Sequence, residues 1–171
     1  MVVVMKKKVL AEQSLYYGDV KMPKNWEIDR NDLAHCILQS TLTNEKFNFS
    51  RTFDKLNAYI IDFINLNYDL SLVEKNIFGD IYSPQQQSPS LLNINPVDLQ
   101  NSPDYTLLYG VKVNDCKIKI NYDNNRRKGE SWEIDLKDNM FIMFPSTNSY
   151  VVSNNQKNSL NFIQTITYEY M

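Results

Sequence analysis

Two segments near the start of the chain carry apolar residues at helical spacing. In the first, Asp29 stands as an N-cap before an apolar run over residues 33–38, which predicts a helix over residues 30–42. In the second, Ser50 precedes apolar positions that recur every three or four residues: Phe53, Leu56, Ile60, Phe63 and Ile64. This spacing predicts a second helix with one buried face, packed against a sheet.

From Tyr68 onward, apolar and polar residues alternate in short runs separated by turn-forming residues. The runs predict strands over residues 68–72, 77–82, 105–113, 116–122, 132–136, 140–144, 149–152 and 160–170, after an edge strand at 15–17 and a turn at Gly18 and Asp19. Regularly spaced strands predict a β-sandwich or barrel, and the earlier helices predict a layer on one of its faces. We therefore expect one α+β domain, with the helices in residues 1–67 and the sandwich in residues 68–171.

Composition and charge exclude several classes of function. A chain of 171 residues that is 43% hydrophobic can bury a core in one domain. Its net charge of −2 predicts neither a nucleic acid nor a membrane surface as partner. Cys36 and Cys116 lack the spacing of a zinc site, and the first ten residues do not match a secretory signal. We expect free thiols and a cytoplasmic protein.

Few residues indicate chemistry on their own. His35, the single histidine, lies beside the apolar stripe of the first predicted helix, a position more typical of a surface residue than of a ligand. Arg126 and Arg127 form a basic turn between two predicted strands, where they could hold a phosphate or a carboxylate. An exposed hairpin loop is the simpler interpretation of that turn. The chain has no nucleophile elbow and no phosphate-binding loop motif.

Residues 138–161 form the most informative stretch of the sequence. An apolar strand over residues 140–144 leads into a turn at Pro145 and Ser146, and a second strand begins at Tyr150, which predicts an antiparallel unit. Together with the rest of the strand-rich half, this stretch resembles the 2-oxoglutarate/Fe(II) oxygenases, in particular the oxygenase-like proteins encoded by marine phages of the T4-like group. The resemblance implies a double-stranded β-helix, a cupin-like jelly roll, beneath an N-terminal helical layer.

The resemblance also implies where a site would lie. In the family, iron is held by an H-x-D/E pair on an early strand and by a histidine after the turn, and a basic residue near the last strand anchors 2-oxoglutarate. Tyr150 falls at the position of that last histidine, and Lys157 falls near the basic position. The region of the H-x-D/E pair contains no histidine, only Asn93, Asn95, Asp98 and Asp104. The candidate pocket residues implied by the resemblance are Tyr150, Lys157, Asp104, Asp98 and Tyr109.

The missing histidines predict that no standard iron centre forms and that no cofactor is bound. Fe(II) favours imidazole donors, and the phenol of a tyrosine ionises only near pH 10. We expect a pseudoenzyme of phage origin that contacts another protein or a second copy of itself. One alternative is an active dioxygenase that binds Fe(II) and 2-oxoglutarate through His35 with Asp98 or Asp104. Another is a virion component that associates through exposed strand edges, so the expected locations are the infected cell and the virion.

Overall fold

In the computed structural model of the protein, the described residues are 8, 12–24, 26–44, 50–125 and 127–171. The helices are α1 (Arg30–Thr43) and α2 (Arg51–Tyr68). The strands are β1 (Tyr16–Asp19), β2 (Leu72–Tyr82), β3 (Tyr105–Lys112), β4 (Cys116–Asn125), β5 (Lys128–Leu136), β6 (Met140–Pro145), β7 (Tyr150–Asn154) and β8 (Asn161–Tyr170). Neither helix is long and apolar enough to cross a membrane, and this finding covers only the described residues.

The strands form two antiparallel sheets. The larger sheet has the order β1-β6-β3-β8-β2, and the smaller has the order β5-β4-β7. Isolated bridges from Gln87 to Ser153 and from Leu91 to Tyr150 extend the smaller sheet beyond β7. From β6 to β8, successive strands alternate between the two sheets. This alternation gives a jelly roll, so the predicted α+β class is confirmed.

Apolar residues are buried in two cores, one on each face of the larger sheet. The outer core packs the helices against that sheet and includes Leu33, Ile37, Phe53, Leu56, Ile60, Ile64, Leu107, Tyr109, Ile166 and Tyr168. The inner core fills the space between the sheets and includes Leu108, Ile118, Ile120, Ile142, Phe144, Val152 and Ile163. Neighbouring residues of β3 therefore point into different cores, as alternation along a strand requires. The predicted helical layer is confirmed on the outer face.

Both predicted helix starts are confirmed by the hydrogen bonds of their caps. The Asp29 carboxylate accepts hydrogen bonds from the backbone N–H groups of Asn31 and Asp32, each at 3.1 Å. Ser50 Oγ accepts a hydrogen bond from the N–H of Phe53, also at 3.1 Å. These side chains satisfy N–H groups that have no acceptor inside the helix. The observed α1 extends one residue beyond the predicted range.

Substituting Ser50 with alanine is expected to lower the free energy of unfolding by about 1 kcal/mol, because α2 loses its side-chain cap. Urea denaturation monitored by circular dichroism measures this loss. Ser90→Ala, at an exposed loop serine, is the matched control and is expected to change stability little. Equal stabilities of the two variants would contradict the capping role of Ser50.

The structure corrects the predicted boundary between α2 and the first strand of the jelly roll. Residues 68–72 and 77–82 were expected to be two strands, but α2 continues to Tyr68 and one strand, β2, covers Leu72–Tyr82. Asp69 ends the helix in the left-handed conformation, with φ of 54°. The register of β2 against β8 shifts at Lys75, where a β-bulge adds one residue to β2, and the pairing continues on both sides of it. The alternation of apolar and polar residues over 68–72 therefore predicted a strand wrongly, at the place where α2 ends.

Two further predictions about strand pairing were wrong. Gly18 and Asp19 do not form a turn, because both belong to β1, which pairs with β6 at the edge of the larger sheet. The apolar strand before Pro145 and the strand from Tyr150 do not pair with each other. The first is β6, which pairs with β1 and β3, and the second is β7, which pairs with β4. The turn between them crosses from one sheet to the other.

Candidate functional site

Polar side chains are buried at one end of the space between the two sheets. Asn93 Nδ2 donates hydrogen bonds to Thr106 Oγ1 at 3.1 Å and to Tyr150 Oη at 3.3 Å, and Thr106 Oγ1 is 2.8 Å from Ser146 Oγ. Thr106, Ser146 and Tyr150 are buried, whereas Asn93 is half-buried. Asp80 lies on the same inner face of the larger sheet but four pairing positions away, since Thr106 is level with Asn76 through Thr167 whereas Asp80 pairs with Ile163. We call the region lined by Asn93, Thr106, Ser146 and Tyr150 the mouth.

The crossing turn between β6 and β7 assembles the mouth. Ser146 follows the last residue of β6, and its backbone N–H donates a hydrogen bond to the Asp104 carbonyl at 2.9 Å. Tyr150 begins β7 and forms two backbone hydrogen bonds with Leu91, at 2.8 and 3.0 Å. These bonds hold the segment that carries Asn93 against the smaller sheet. Side chains from both sheets therefore meet at one end of the jelly roll.

Asp80 is a carboxylate on the inner face of the larger sheet, away from the mouth. It lies on β2 between Phe78 and Tyr82, which share its face because residues two apart on a strand point the same way. Thr165 Oγ1 donates a hydrogen bond to Asp80 Oδ2 at 3.2 Å. Burial raises the pKa of Asp80 above its usual range, and the hydrogen bond from Thr165 opposes that rise. The charge of Asp80 in turn contributes to the raised pKa of Tyr82 and Tyr150.

The phenol of Tyr150 is protonated at neutral pH. Burial raises the pKa of Tyr150 to about 12, with a smaller rise from Asp80, while the hydrogen bond from Asn93 opposes the rise. A neutral phenol is a hydrogen-bonding group and a weak ligand for divalent metals. The Tyr150 side chain therefore serves as a hydrogen-bonding group of the network around Asn93.

Asp80→Asn is expected to raise the melting temperature at pH 7. The pKa of Asp80 is raised in the folded state, so its ionisation favours the unfolded chain. The ionised side chain lowers stability above the folded-state pKa, and this effect disappears below the ordinary aspartate pKa of about 3.9. The gain from the substitution should therefore shrink as the pH falls toward that value. The melting temperatures of both proteins are measured between pH 3 and pH 8. Steps of roughly half a pH unit are fine enough to follow the titration of a single group.

Asp62→Asn is the matched control, since Asp62 is an exposed carboxylate on α2, far from the mouth in the fold. It should leave the melting temperature nearly unchanged at every pH. A lower melting temperature for Asp80→Asn than for the unsubstituted protein at pH 7 would contradict the conclusion that the ionised Asp80 side chain lowers stability.

The structure separates the candidate pocket residues implied by the resemblance. Tyr150 lies in the mouth. Tyr109 lies on the opposite face of β3, in the outer core, where its Oη donates a hydrogen bond to Asn139 Oδ1 at 2.7 Å. Lys157 is exposed in the loop before β8. The resemblance therefore places one of these three side chains where the polar network forms.

The acidic and amide candidates ahead of β3 are also separated. Asp98 accepts hydrogen bonds from Asn101 Nδ2 at 2.9 and 3.1 Å in an exposed turn. Asp104 Oδ2 accepts a hydrogen bond from the N–H of Tyr170 at 2.9 Å. Asn95 is exposed, and its Oδ1 caps the following turn. Of the residues predicted in this region, Asn93 is the one that reaches Tyr150.

His35 and the basic turn lie away from the mouth. His35 is exposed on α1, which packs on the outer face of the larger sheet. It does not approach Asp98 or Asp104, and no metal-binding group of His, Cys, Asp and Glu forms among the described residues. Arg127 is exposed in the turn between β4 and β5, whereas Arg126 lies outside the described residues. The proposed combination of His35 with Asp98 or Asp104 is not formed.

Known structures share this architecture. A prolyl-4-hydroxylase from Pseudomonas putida matches with a TM-score of 0.66 and 12% identity, over 94% of this chain and 87% of that chain. The viral collagen prolyl hydroxylase of Paramecium bursaria Chlorella virus-1, in a 2-oxoglutarate complex, matches with a TM-score of 0.61 and 14% identity, over 92% and 96%. The chain has the double-stranded β-helix fold of the 2-oxoglutarate/Fe(II) oxygenases. Neither a protein-family model nor a curated protein sequence matches it.

The same fold also carries a different reaction. SnoN, a non-heme α-ketoglutarate-dependent epimerase from nogalamycin biosynthesis, matches with a TM-score of 0.62 and 7% identity, over 92% of this chain and 78% of that chain. At such identities the match establishes the fold and no activity. The chemistry of this chain has to be argued from its own side chains.

The residues of the mouth do not fit Fe(II). Asn93, Thr106, Ser146 and Tyr150 offer an amide, two hydroxyls and a neutral phenol, and the amide nitrogen already donates to two of these partners. The carboxylate of Asp80 lies four pairing positions along the sheet from Thr106. Fe(II) in oxygenases is held by two imidazoles and a carboxylate, and oxygen donors of the present kind favour harder cations. The described mouth lacks the nitrogen donors of an iron centre.

The residues of the mouth also do not fit 2-oxoglutarate. A dianion of this kind needs a cation, and an arginine or lysine near the start of the last strand would supply it. The first residue of β8 is Asn161, which is buried and whose Oδ1 accepts a hydrogen bond from the N–H of Asn114 at 3.0 Å. Lys75 on β2 is held by Glu169 at 2.7 Å. Neither residue offers a free cation to a dicarboxylate.

Asp80 is the residue that sequence reasoning missed. Both faces of β2 carry apolar residues near it, because Ile77 and Ile81 contact the outer core while Tyr82 lies in the inner one. A strand with apolar residues on both faces gives no alternation from which the direction of a single acid could be predicted. The signal that the sequence offered was a single acidic residue, Asp80, inside a run of mostly apolar residues.

Proposed function

We propose that this protein is a noncatalytic binding protein with the oxygenase fold. Its mouth is closed to Fe(II) by hydrogen-bonded side chains. The observation that supports this most directly is the contact between Asn93 Nδ2 and Tyr150 Oη at 3.3 Å. The resemblance places iron-binding histidines in the segment of Asn93 and at Tyr150. In this chain an amide and a neutral phenol meet there.

The chemistry of these two groups explains why the proposal favours binding over turnover. The raised pKa of Tyr150 keeps its phenol protonated at neutral pH, so it supplies no anionic oxygen to a metal. The side-chain nitrogen of Asn93 donates hydrogen bonds to Thr106 and to Tyr150, and an amide N–H donor of this kind cannot also be a metal ligand. A jelly roll without metal ligands can still act by binding, because this fold class serves binding proteins as well as enzymes.

An activity measurement tests this proposal. The protein is incubated with Fe(II), ascorbate and 2-oxoglutarate, and the consumption of oxygen and of 2-oxoglutarate is followed. We expect the rates of a protein-free mixture, because no residue in the mouth can hold the metal or anchor the cosubstrate. Consumption that requires the protein, Fe(II) and 2-oxoglutarate together, and that stops when Fe(II) is chelated, would contradict the proposal.

A further inference from the structure

A cavity of about 320 Å³ lies where the segment before β1 meets the smaller sheet. Its walls come from that segment, from β4 and β5, and from the end of β6 and the turn after it. The described lining residues are Gln13, Ser14, Leu15, Ile120, Tyr122, Trp132, Pro145 and Asn148. Apolar and aromatic side chains form most of this wall, and none of the described side chains in it is charged. Such a cavity favours an uncharged group with an apolar surface.

Trp132 provides the largest aromatic surface of this cavity. It pairs with Ile120 across β4 and β5, and its ring centroid lies 5.5 Å from that of Tyr17 on β1. Trp132 is half-buried, so part of its indole remains accessible. The strand pairing and the Tyr17 ring hold the indole in one orientation. An oriented aromatic ring of this kind can bind the apolar face of a ligand.

A second cavity, of about 510 Å³, adjoins the first, since Tyr122 and Asn148 line both. Its other described lining residues are Leu92, Lys119, Asn121, Asp123, Gly129, Glu130, Ser131, Thr147 and Ser149. The side chains of Lys119, Ser131 and Thr147 have no hydrogen-bond partner in the described part of the chain. This second cavity therefore offers donors and acceptors to a ligand. We call the two cavities together the cleft.

Hydrogen bonds hold the boundary between the two cavities in place. Tyr122 Oη donates a hydrogen bond to Glu130 Oε2 at 2.9 Å, and Asn148 Nδ2 donates one to Gln13 Oε1 at 3.4 Å. Asn148 Oδ1 accepts no hydrogen bond from a described residue. The first bond joins β4 to β5, and the second joins the turn after β6 to the segment before β1. A cleft built in this way loses little freedom when a ligand binds.

We propose that the cleft binds a neutral carbohydrate. A sugar ring has a face of C–H groups, which fits the accessible part of the Trp132 indole. Its hydroxyl groups both donate and accept hydrogen bonds, as the second cavity requires. The uncharged first cavity disfavours any ion, and Asp123 and Glu130 outnumber Lys119 in the second, which disfavours an anion. A purely apolar ligand would leave the polar groups of the second cavity without partners.

The inference goes beyond the proposed function, because the cleft lies beside the mouth and does not include the contact between Asn93 and Tyr150. Its test contains neither iron nor 2-oxoglutarate. The sugar titration and the iron titration can therefore fail independently of each other.

Tryptophan fluorescence tests the proposal, because Trp26 and Trp132 are the two tryptophans of the chain. Trp26→Phe leaves Trp132 as the reporter, whereas Trp132→Phe leaves Trp26, which is exposed beside Lys55 of α2. Both variants are titrated with the methyl glycosides of glucose, galactose, mannose and N-acetylglucosamine. We expect a saturable change in emission with at least one glycoside in Trp26→Phe and none in Trp132→Phe. No saturable change with any glycoside, or equal changes in both variants, would overturn the proposal.

Two further variants place the sugar in the cleft, with affinities measured by calorimetry. Trp132→Ala should weaken the binding of the best glycoside by about 10-fold or more, because the stacking surface is lost. Asn148→Ala removes a polar group shared by both cavities and should weaken binding by about 3-fold or more. Asn158→Ala, at an exposed asparagine in the loop before β8, is the matched control and should bind as the unsubstituted protein does.

Circular dichroism checks that each variant is folded, because Trp132 also packs against the inner core. If Trp132→Ala does not fold, Asn148→Ala decides the outcome. Unchanged affinity in a folded Asn148→Ala protein would overturn the placement of the sugar.

A last probe separates a carbohydrate from the apolar side chain of a peptide. Nα-acetyl-leucinamide has an apolar group but lacks the hydroxyl groups of a sugar. It should bind at least about 3-fold more weakly than the best glycoside, because it forms fewer hydrogen bonds in the second cavity. Tighter binding of the leucine amide would assign the cleft to a peptide and would overturn the proposal.

Discussion

Replacing Asn93, Asn95 and Tyr150 together by histidine, aspartate and histidine is expected to create an Fe(II) site in this chain. The substitutions place an H-x-D pair at Asn93 and Asn95, within the region that the resemblance assigns to it, and a histidine at Tyr150, the position that the resemblance assigns to the last ligand. Asn93 and Tyr150 already lie in contact, 3.3 Å apart between Nδ2 and Oη, so two imidazoles at these positions would start close to one another. A facial triad of two imidazoles and one carboxylate is a ligand set that Fe(II) prefers.

The size of the effect comes from the number of ligands restored. Loss of a single supporting partner around a metal already costs about 10- to 100-fold in affinity, so the gain from a complete triad should exceed that range. Anaerobic titration of the variant with Fe(II), followed by metal analysis after gel filtration, measures it. We expect close to one iron per chain.

The matched control carries Asn93→His and Asn95→Asp but keeps Tyr150. It should bind iron much more weakly, because one ligand of the triad is missing. A folded triple variant that binds no more iron than this control would contradict the assignment of Asn93 and Tyr150 to the two histidine positions.

Gly79→Ala and Ile37→Ala are each expected to destabilise the protein, but the double variant should be more stable than the sum of the two effects. A Cβ on Gly79 would lie 2.8 Å from Ile37 Cγ2, which is closer than real Cβ contacts allow. This overlap should lower the free energy of unfolding by about 1–3 kcal/mol. Ile37 is fully buried in the outer core, and its truncation should cost about 2–5 kcal/mol.

The double variant measures the contact between α1 and β2 directly. Removing the Ile37 side chain relieves the overlap and lets the new methyl group fill part of the cavity. A coupling free energy of at least about 1 kcal/mol in favour of the double variant is therefore expected from urea denaturation of all four proteins. Additive effects within about 0.5 kcal/mol would show that Ile37 does not pack on Gly79.

The helical layer could be predicted well from the sequence because its signals are local. The caps at Asp29 and Ser50 mark the helix starts, and the buried positions of α2 recur every three or four residues, as at Phe53, Leu56 and Ile60. The close approach of Ile37 to Gly79 could not be predicted, because those residues are joined only by the packing of a helix on a strand.

The pairing of strands was less accessible to sequence reasoning. The run before Pro145 and the run from Tyr150 look like a hairpin, yet they belong to different sheets. Alternation shows which residues share a face of a strand, but it does not show which sheet a strand joins. The alternation of β4 was readable, since Cys116, Ile118 and Ile120 are all buried as predicted.

The candidate site was accessible only in part. The resemblance singled out Tyr150, and the region ahead of β3 was identified without a choice among its four polar residues. Tyr109 was a misleading candidate because both faces of β3 are buried. The residue type of Tyr109 therefore did not show which of the two cores its side chain enters. Asp80 had no motif around it and became apparent only through its contact with Thr165.

We propose that the mouth of this jelly roll does not hold iron, and a binding titration is the sharpest test of that proposal. The purified protein is titrated with Fe(II) under anaerobic conditions, with and without 2-oxoglutarate, beside the triple variant as a positive control. We expect no saturable binding by the unsubstituted chain under conditions in which the variant approaches one iron per chain. Saturable binding of one iron by the unsubstituted chain, strengthened by 2-oxoglutarate and lost in Tyr150→Phe, would contradict it.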